Sequence, residues 1–132
     1  MVPARYRDDL VGSGEARVVI TADPSKCLLM FPLTEWEPIE KKLNSLSSFN
    51  AQTRSLQRLL VGNAADIELD SSGRVLLPAM LREFAGLDKS VVLVGQGAKF
   101  ELWNEARWQE QMELALTFRD ADMPVELAGF SL

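Results

Sequence analysis

Ala65-Asp66-Ile67-Glu68-Leu69-Asp70-Ser71-Ser72-Gly73-Arg74-Val75-Leu76-Leu77-Pro78 is the stretch that decides the fold of this chain. Ala65, Ile67 and Leu69 alternate with Asp66, Glu68 and Asp70, the period-two pattern of a strand with one buried face. Asp70-Ser71-Ser72-Gly73 reads as a tight turn, because aspartate can bond the backbone ahead of it and glycine takes positive φ freely. Arg74-Val75-Leu76-Leu77 predicts a returning strand that ends at Pro78. The unit is a β-hairpin with an arginine just past its turn. On these residues alone two roles stay open. Asp70 and Arg74 either close a turn and form a surface ion pair, or present a recognition loop.

Working outward, Leu77-Pro78-Ala79-Met80-Leu81-Arg82-Glu83 predicts a short helix, with proline at its start and Gly86 at its stop. Val2-Pro3-Ala4-Arg5-Tyr6-Arg7-Asp8, ending near Gly12, matches it 75 residues earlier. Two β-rich runs follow each helix. Arg17 to Ala22 and Cys27 to Phe31 are joined by Asp23-Pro24-Ser25-Lys26; Ser90 to Gly95 and Lys99 to Trp103 are joined by Gln96-Gly97-Ala98. Val18 matches Val91 at an offset of 73, and Trp36 matches Trp108 at an offset of 72. The same elements recur in the same order, so the chain is an internal duplication. Trp36 and Trp108 are expected to be buried in matching places. A helix is predicted from a capping box, Thr34 with Glu37, and its counterpart from Asn104 as N-cap. Between the copies, Leu56, Leu59 and Leu60 form a helical apolar stripe that packs on the chain's own core, with Arg54 and Arg58 on another face.

Asp-Ser-Ser-Gly-Arg-Val-Leu-Leu-Pro-Ala-x-x-Arg, read over Asp70 to Arg82, resembles the SpoVT/AbrB hairpin signature. Two such units in tandem resemble the MraZ family. So do Leu33-Thr34-Glu35-Trp36-Glu37, Arg58-Leu59-Leu60-Val61-Gly62-Asn63-Ala64 and Val94-Gly95-Gln96-Gly97-Ala98-Lys99-Phe100-Glu101-Leu102-Trp103. The resemblance implies an α+β fold in which two AbrB-like swapped-hairpin units with helices form a pseudo-dimeric β-barrel. The units are expected at 1–45 and 64–116, joined by a connecting helix at 46–63 and followed by a tail at 117–132. It also implies a bacterial transcriptional regulator of the division and cell-wall gene cluster. Such a protein binds direct repeats in promoter double-stranded DNA and assembles as a ring-shaped homo-oligomer. Carried onto this chain, the DNA-contacting residues are Ser72, Gly73 and Arg74. Asp70, being negative, is assigned to holding the turn and orienting Arg74. One departure stands out: the counterpart of Asp70 would fall ahead of Met1, so the first unit is expected to lack its Asp-x-x-x-Arg hairpin.

Composition narrows the function classes. The chain has no histidine and one cysteine, Cys27, which removes Ser/His/Asp and Cys/His catalysis and any intrachain disulfide. No metal or other cofactor is expected. A carboxylate pair such as Glu35 and Glu37 is the remaining enzymatic candidate, and it reads more simply as the solvated first turn of a capped helix. No apolar run approaches the ~20 residues of a membrane span. Met1-Val2-Pro3-Ala4-Arg5-Tyr6-Arg7 lacks the apolar region of a signal peptide, so a cytoplasmic protein without a membrane partner is expected, and the family resemblance implies that it is nucleoid-associated. The net charge of −5 is unfavourable for phosphate contacts. It leaves a second possibility, an AbrB-fold protein-interaction or ring scaffold with little DNA binding.

Overall fold

The computed structural model describes residues 17–47, 49–70 and 74–118. The chain is α+β. Its strands are β1 (Arg17–Ala22), β2 (Leu28–Pro32), β3 (Ala65–Glu68), β4 (Val91–Gln96) and β5 (Lys99–Asn104). Its helices are α1 (Leu33–Asn44), α2 (Ala51–Leu60), α3 (Ala79–Phe84) and α4 (Glu105–Thr117). The strands form one antiparallel sheet in the order β3-β1-β2-β5-β4.

The duplication is visible in the sheet. The β1–β2 hairpin pairs Val18 with Pro32, and the β4–β5 hairpin pairs Val91 with Asn104, at the offsets of 73 and 72 read from the sequence. The two hairpins meet where β2 runs antiparallel to β5, pairing Leu28 with Leu102, Leu29 with Glu101 and Met30 with Phe100. An offset of 72 turns Leu29 into Glu101 and exchanges the other two pairs. A pseudo-twofold axis therefore passes between Leu29 and Glu101, perpendicular to the sheet.

Alternation along the strands makes two faces. Val18, Ile20, Leu28, Met30 and Phe100 form one core with Leu69 and with Leu81, Ala85 and Leu87 of the α3 region. Val19, Leu29 and Phe31 face the other way, against Trp36 of α1, with Ile39 and Leu60 packed around them. The Thr21 hydroxyl, buried on that second face, donates to the Leu60 carbonyl and so anchors the end of α2. The connecting helix thus packs on its own chain. Asn50 caps it, accepting from the Gln52 and Thr53 amides at 2.8 and 3.1 Å.

Turns and caps follow local chemistry. Gly86 takes φ +63 after α3, letting its amide bond Glu83 and the Leu87 amide bond Arg82, and Leu87 drops into the core. Asn104 caps α4 through the Arg107 amide at 3.1 Å. The Thr34–Glu37 capping box does not form. β2 runs straight into α1 through extended Pro32, so the helix begins two residues early and Thr34 lies inside it.

Further expectations are corrected or fall outside the described residues. The described strands make an open sheet with edges at β3 and β4, not a closed barrel. Residues 74–77 alternate outward and inward as expected, and Val75 and Leu77 pack on the core, but they join no ladder. β3 pairs with β1 on one side and is an edge of the described sheet on the other. Trp36 is 4% exposed, whereas Trp108 is only half-buried. The predicted helix from Pro3 to Gly12 and the tail beyond Phe118 lie outside the described residues.

Cys27 is fully buried at the start of the second hairpin limb. Burial, reinforced by the negative charges of Asp23 and Glu101, pushes its thiol up to about 12. The neutral form is therefore favoured in the folded protein. Its contribution to stability is complete below about 9 and is lost as pH climbs from there toward 12. At pH 8 iodoacetamide should leave the native protein unmodified and alkylate the denatured chain. Rapid native labelling, followed by mass spectrometry, would contradict this placement.

Candidate nucleic-acid interface

The loop from Asp70 to Arg74 is built on the end of β3. β3 is held against β1 by the register Val18–Ile67 and Val19–Asp66, and by a two-point ion pair. Arg17 donates Nε to Asp66 Oδ1 at 3.0 Å and Nη2 to Oδ2 at 2.9 Å. Both partners are about half exposed, so the pair contributes register more than stability. Leu69, 6% exposed, then plants the strand end in the core directly before the loop.

Among the described residues, Asp70 and Arg74 close the loop with bonds in both directions. The Asp70 amide donates to the Arg74 carbonyl at 3.1 Å, and the Arg74 amide donates to Asp70 Oδ1 at 2.8 Å. The aspartate side chain thus bonds the backbone at the far end of the loop. Asp70 and Arg74 are both exposed, while Leu69 and Val75 on either side point inward. The arrangement fixes the backbone of Arg74 and leaves its guanidinium on the surface, with five donors in a planar fork suited to a phosphate or a guanine edge. Ser72 and Gly73 lie outside the described residues.

The enzymatic candidate does not assemble. Glu35 and Glu37 flank buried Trp36 on α1, and two residues apart on a helix they diverge. Among the described residues no group of three histidines, cysteines or carboxylates is placed to hold a metal ion. No helix among them is long and apolar enough to cross a membrane.

Residues 1–59 and 60–123 each match the family model described as "MraZ protein, putative antitoxin-like". The chain belongs to the MraZ family. Over its full length it is 66% identical to the transcriptional regulator MraZ of Thiobacillus denitrificans, covering 89% of that protein. The corresponding regulators of Nitrosospira multiformis and Nitrosomonas europaea are 66% and 60% identical over 99% of this chain, covering 88% of each. These MraZ relatives are named as regulators of transcription, which agrees with a non-enzymatic role for this member. The two matched segments also agree with the duplication that places Leu29 opposite Glu101.

Several organising contacts escape a linear reading of the MraZ repeat. Arg17 and Asp66 are distant in sequence and meet only once β1 and β3 are in register. Arg107 of α4 donates to the Lys26 carbonyl at 3.1 Å and the Phe84 carbonyl at 3.3 Å, tying the second unit to the hairpin of the first. Nothing in the spacing of these residues announces either contact.

Proposed function

We propose that this MraZ-family chain is a sequence-specific DNA-binding regulator of the bacterial division and cell-wall gene cluster. It would bind promoter direct repeats through the 70–74 loop. The observation that carries this is the doubly bonded Asp70–Arg74 closure, which ties the two ends of the loop together while leaving Arg74 exposed. A preorganised arginine spends little conformational entropy on pairing with a base edge or phosphate. Ser72 and Gly73 would approach the sugar–phosphate backbone, and Asp70 would orient the loop without touching DNA.

In the same proposal the repeat units are 1–45 and 64–116, joined through 46–63. The 65–77 hairpin would form part of a swapped, pseudo-dimeric barrel, and subunits would assemble as a ring in the cytoplasm at the nucleoid. The ring matters energetically. One loop on a chain of net charge −5 binds weakly, and several loops engaging repeats together multiply affinity through effective concentration.

The test is fluorescence anisotropy with a duplex carrying the repeats from upstream of the chain's own operon, titrated at increasing salt. Affinity should fall steeply and linearly on a double-logarithmic plot, with a residual preference for the repeat over scrambled DNA. Binding that is absent at low salt, or indifferent to sequence, would favour the protein-scaffold alternative that the acidic charge permits.

A further inference from the structure

Arg107 sits where elements of both units meet. Its Nη1 donates to the Lys26 carbonyl at 3.1 Å, in the turn of the first hairpin, and to the Phe84 carbonyl at 3.3 Å, at the end of α3. Its own amide donates to Asn104 Oδ1 at 3.1 Å, and Asn104 Nδ2 donates to the Gly86 carbonyl at 2.7 Å. Gly86 stands at φ +63, and a Cβ added there would lie 3.2 Å from Arg107 Nη2 and 3.3 Å from Cζ, so the guanidinium packs against the glycine backbone. The Phe84 carbonyl is among those that a helix end leaves without an intrahelical partner, and a cation is favourable there.

The grip belongs to one copy of the repeat. At the offset of 72 the counterparts of Arg107 and Asn104 are Glu35 and Pro32, neither of which has a side-chain N–H to donate. Glu35 is exposed on the first turn of α1, whereas Arg107 is half-buried. The copies have diverged so that the second carries a clamp the first cannot make.

What the clamp holds is the element that follows the candidate loop. Residues 74–77 lead into Pro78, and α3 has six residues, a length of about 9 Å. Leu81, Ala85 and Leu87 seat the α3 region in the core. Apolar contact is non-directional, so it fixes depth better than position along the sheet. Hydrogen bonds from a planar fork to two carbonyls are directional. Arg107 and Asn104 thus fix the far end of α3 against the Lys26 turn, and through α3 the place of Arg74 relative to the first unit.

We propose that Arg107 is a positioning residue for recognition by the 70–74 loop. By clamping α3 to the first hairpin it sets the direction from which Arg74 meets DNA. This role rests on the DNA-binding reading of that loop. Arg107 itself touches no DNA, because its guanidinium is engaged by two backbone carbonyls and Gly86. Loss of the clamp should therefore reduce the preference for the repeat and leave the general attraction to phosphate in place.

The experiment compares the 132-residue chain with Arg107→Lys and Arg107→Met, each shown by circular dichroism and a thermal melt to be folded at the working temperature. Anisotropy with the repeat duplex and a scrambled duplex is measured over a salt series. In parallel, spin labels on Ser25→Cys in the first-hairpin turn and Met80→Cys on the exposed side of α3 report the distance across the clamp, with buried Cys27 unlabelled. Both variants should displace or broaden that distance. Both should lower the ratio of repeat to scrambled affinity by about tenfold, toward the lower end of what one misplaced base contact costs, with the salt slope unchanged. Arg107→Lys keeps the charge, so its loss is one of geometry. A distance and a ratio both like the parent's would overturn the proposal. A displaced distance with an unchanged ratio would also overturn it and make Arg107 a structural tie only. An equal fall on both duplexes with a shallower salt slope would overturn it by making Arg107 a phosphate contact. A parent that prefers neither duplex would overturn the DNA reading and the recognition role with it, while the label distance still reports the clamp itself.

Discussion

Replacing Trp36 with alanine should destabilise the protein by about 3–5 kcal/mol, the range for removing a large buried aromatic. The side chain is 4% exposed and fills the space between α1 and the sheet face of Val19, Leu29 and Phe31. Its ring centre lies 5.4 Å from that of Phe31, tilted by 46°, and its indole N–H donates to Glu40 Oε2 at 3.0 Å. Alanine would leave a cavity that the rigid sheet and α1 cannot close. It would also leave Glu40 without its donor. Against a total stability of roughly 5–15 kcal/mol for a small domain, the variant should melt far below the parent. Trp108 makes the matching contact with Trp103, at 6.1 Å and 51°, but on the half-exposed side of the sheet. Its replacement should cost less, about 1–2 kcal/mol, in proportion to the smaller area removed from water. Urea unfolding of both variants checks the pair. Equal losses would mean that the two aromatic sites are buried alike.

Arg74→Ala should weaken binding to the promoter repeats by about 1–3 kcal/mol per engaged loop, the value of a two-point arginine contact to a base. Its side chain is exposed and only its backbone takes part in loop closure, so folding should change by less than about 0.5 kcal/mol. Asp70→Ala should behave differently. It deletes the acceptor of the Arg74 amide, at 2.8 Å, and should therefore lower both the melting temperature and the DNA affinity. The discriminating measurement is anisotropy with the repeat duplex, paired with a thermal melt of each variant. If Arg74→Ala binds like the parent and Asp70→Ala melts like the parent, the loop is a turn and nothing more. In the proposed ring the first effect would be amplified, because several loops would engage repeats at once.

Much of the architecture was legible in linear form because its signals are local. The alternation of Ala65, Ile67 and Leu69 with Asp66, Glu68 and Asp70 persists as inward and outward side chains in the structure. The hairpins at Asp23–Lys26 and Gln96–Ala98 closed where turn residues stood, and Lys26 and Gly97 take the positive φ that those turns need. Asn104 capped a helix because an amide side chain reaches the first turn whatever the surroundings. The Thr34 box failed for an equally local reason that the sequence hides. Pro32 is both the last strand residue and the helix entry, and it leaves no room for a separate cap.

The residues by themselves determined the duplication, the offset between its hairpins, and the chemistry of the Asp70–Arg74 turn. These rest on hydrogen bonds and periodicities that span a few residues. Only the tertiary structure decided how the copies meet. A strand's pattern specifies which face is buried but not which neighbour it takes. The junction of β2 with β5 through Leu29 and Glu101, the Arg17–Asp66 pair and the reach of Arg107 to Lys26 all followed from packing over long sequence separations. For the same reason β4, no less apolar in sequence than β1, emerged as a half-exposed edge. A strand's burial depends on which elements pack beside it in space, and no property of Val91 to Gln96 could specify them.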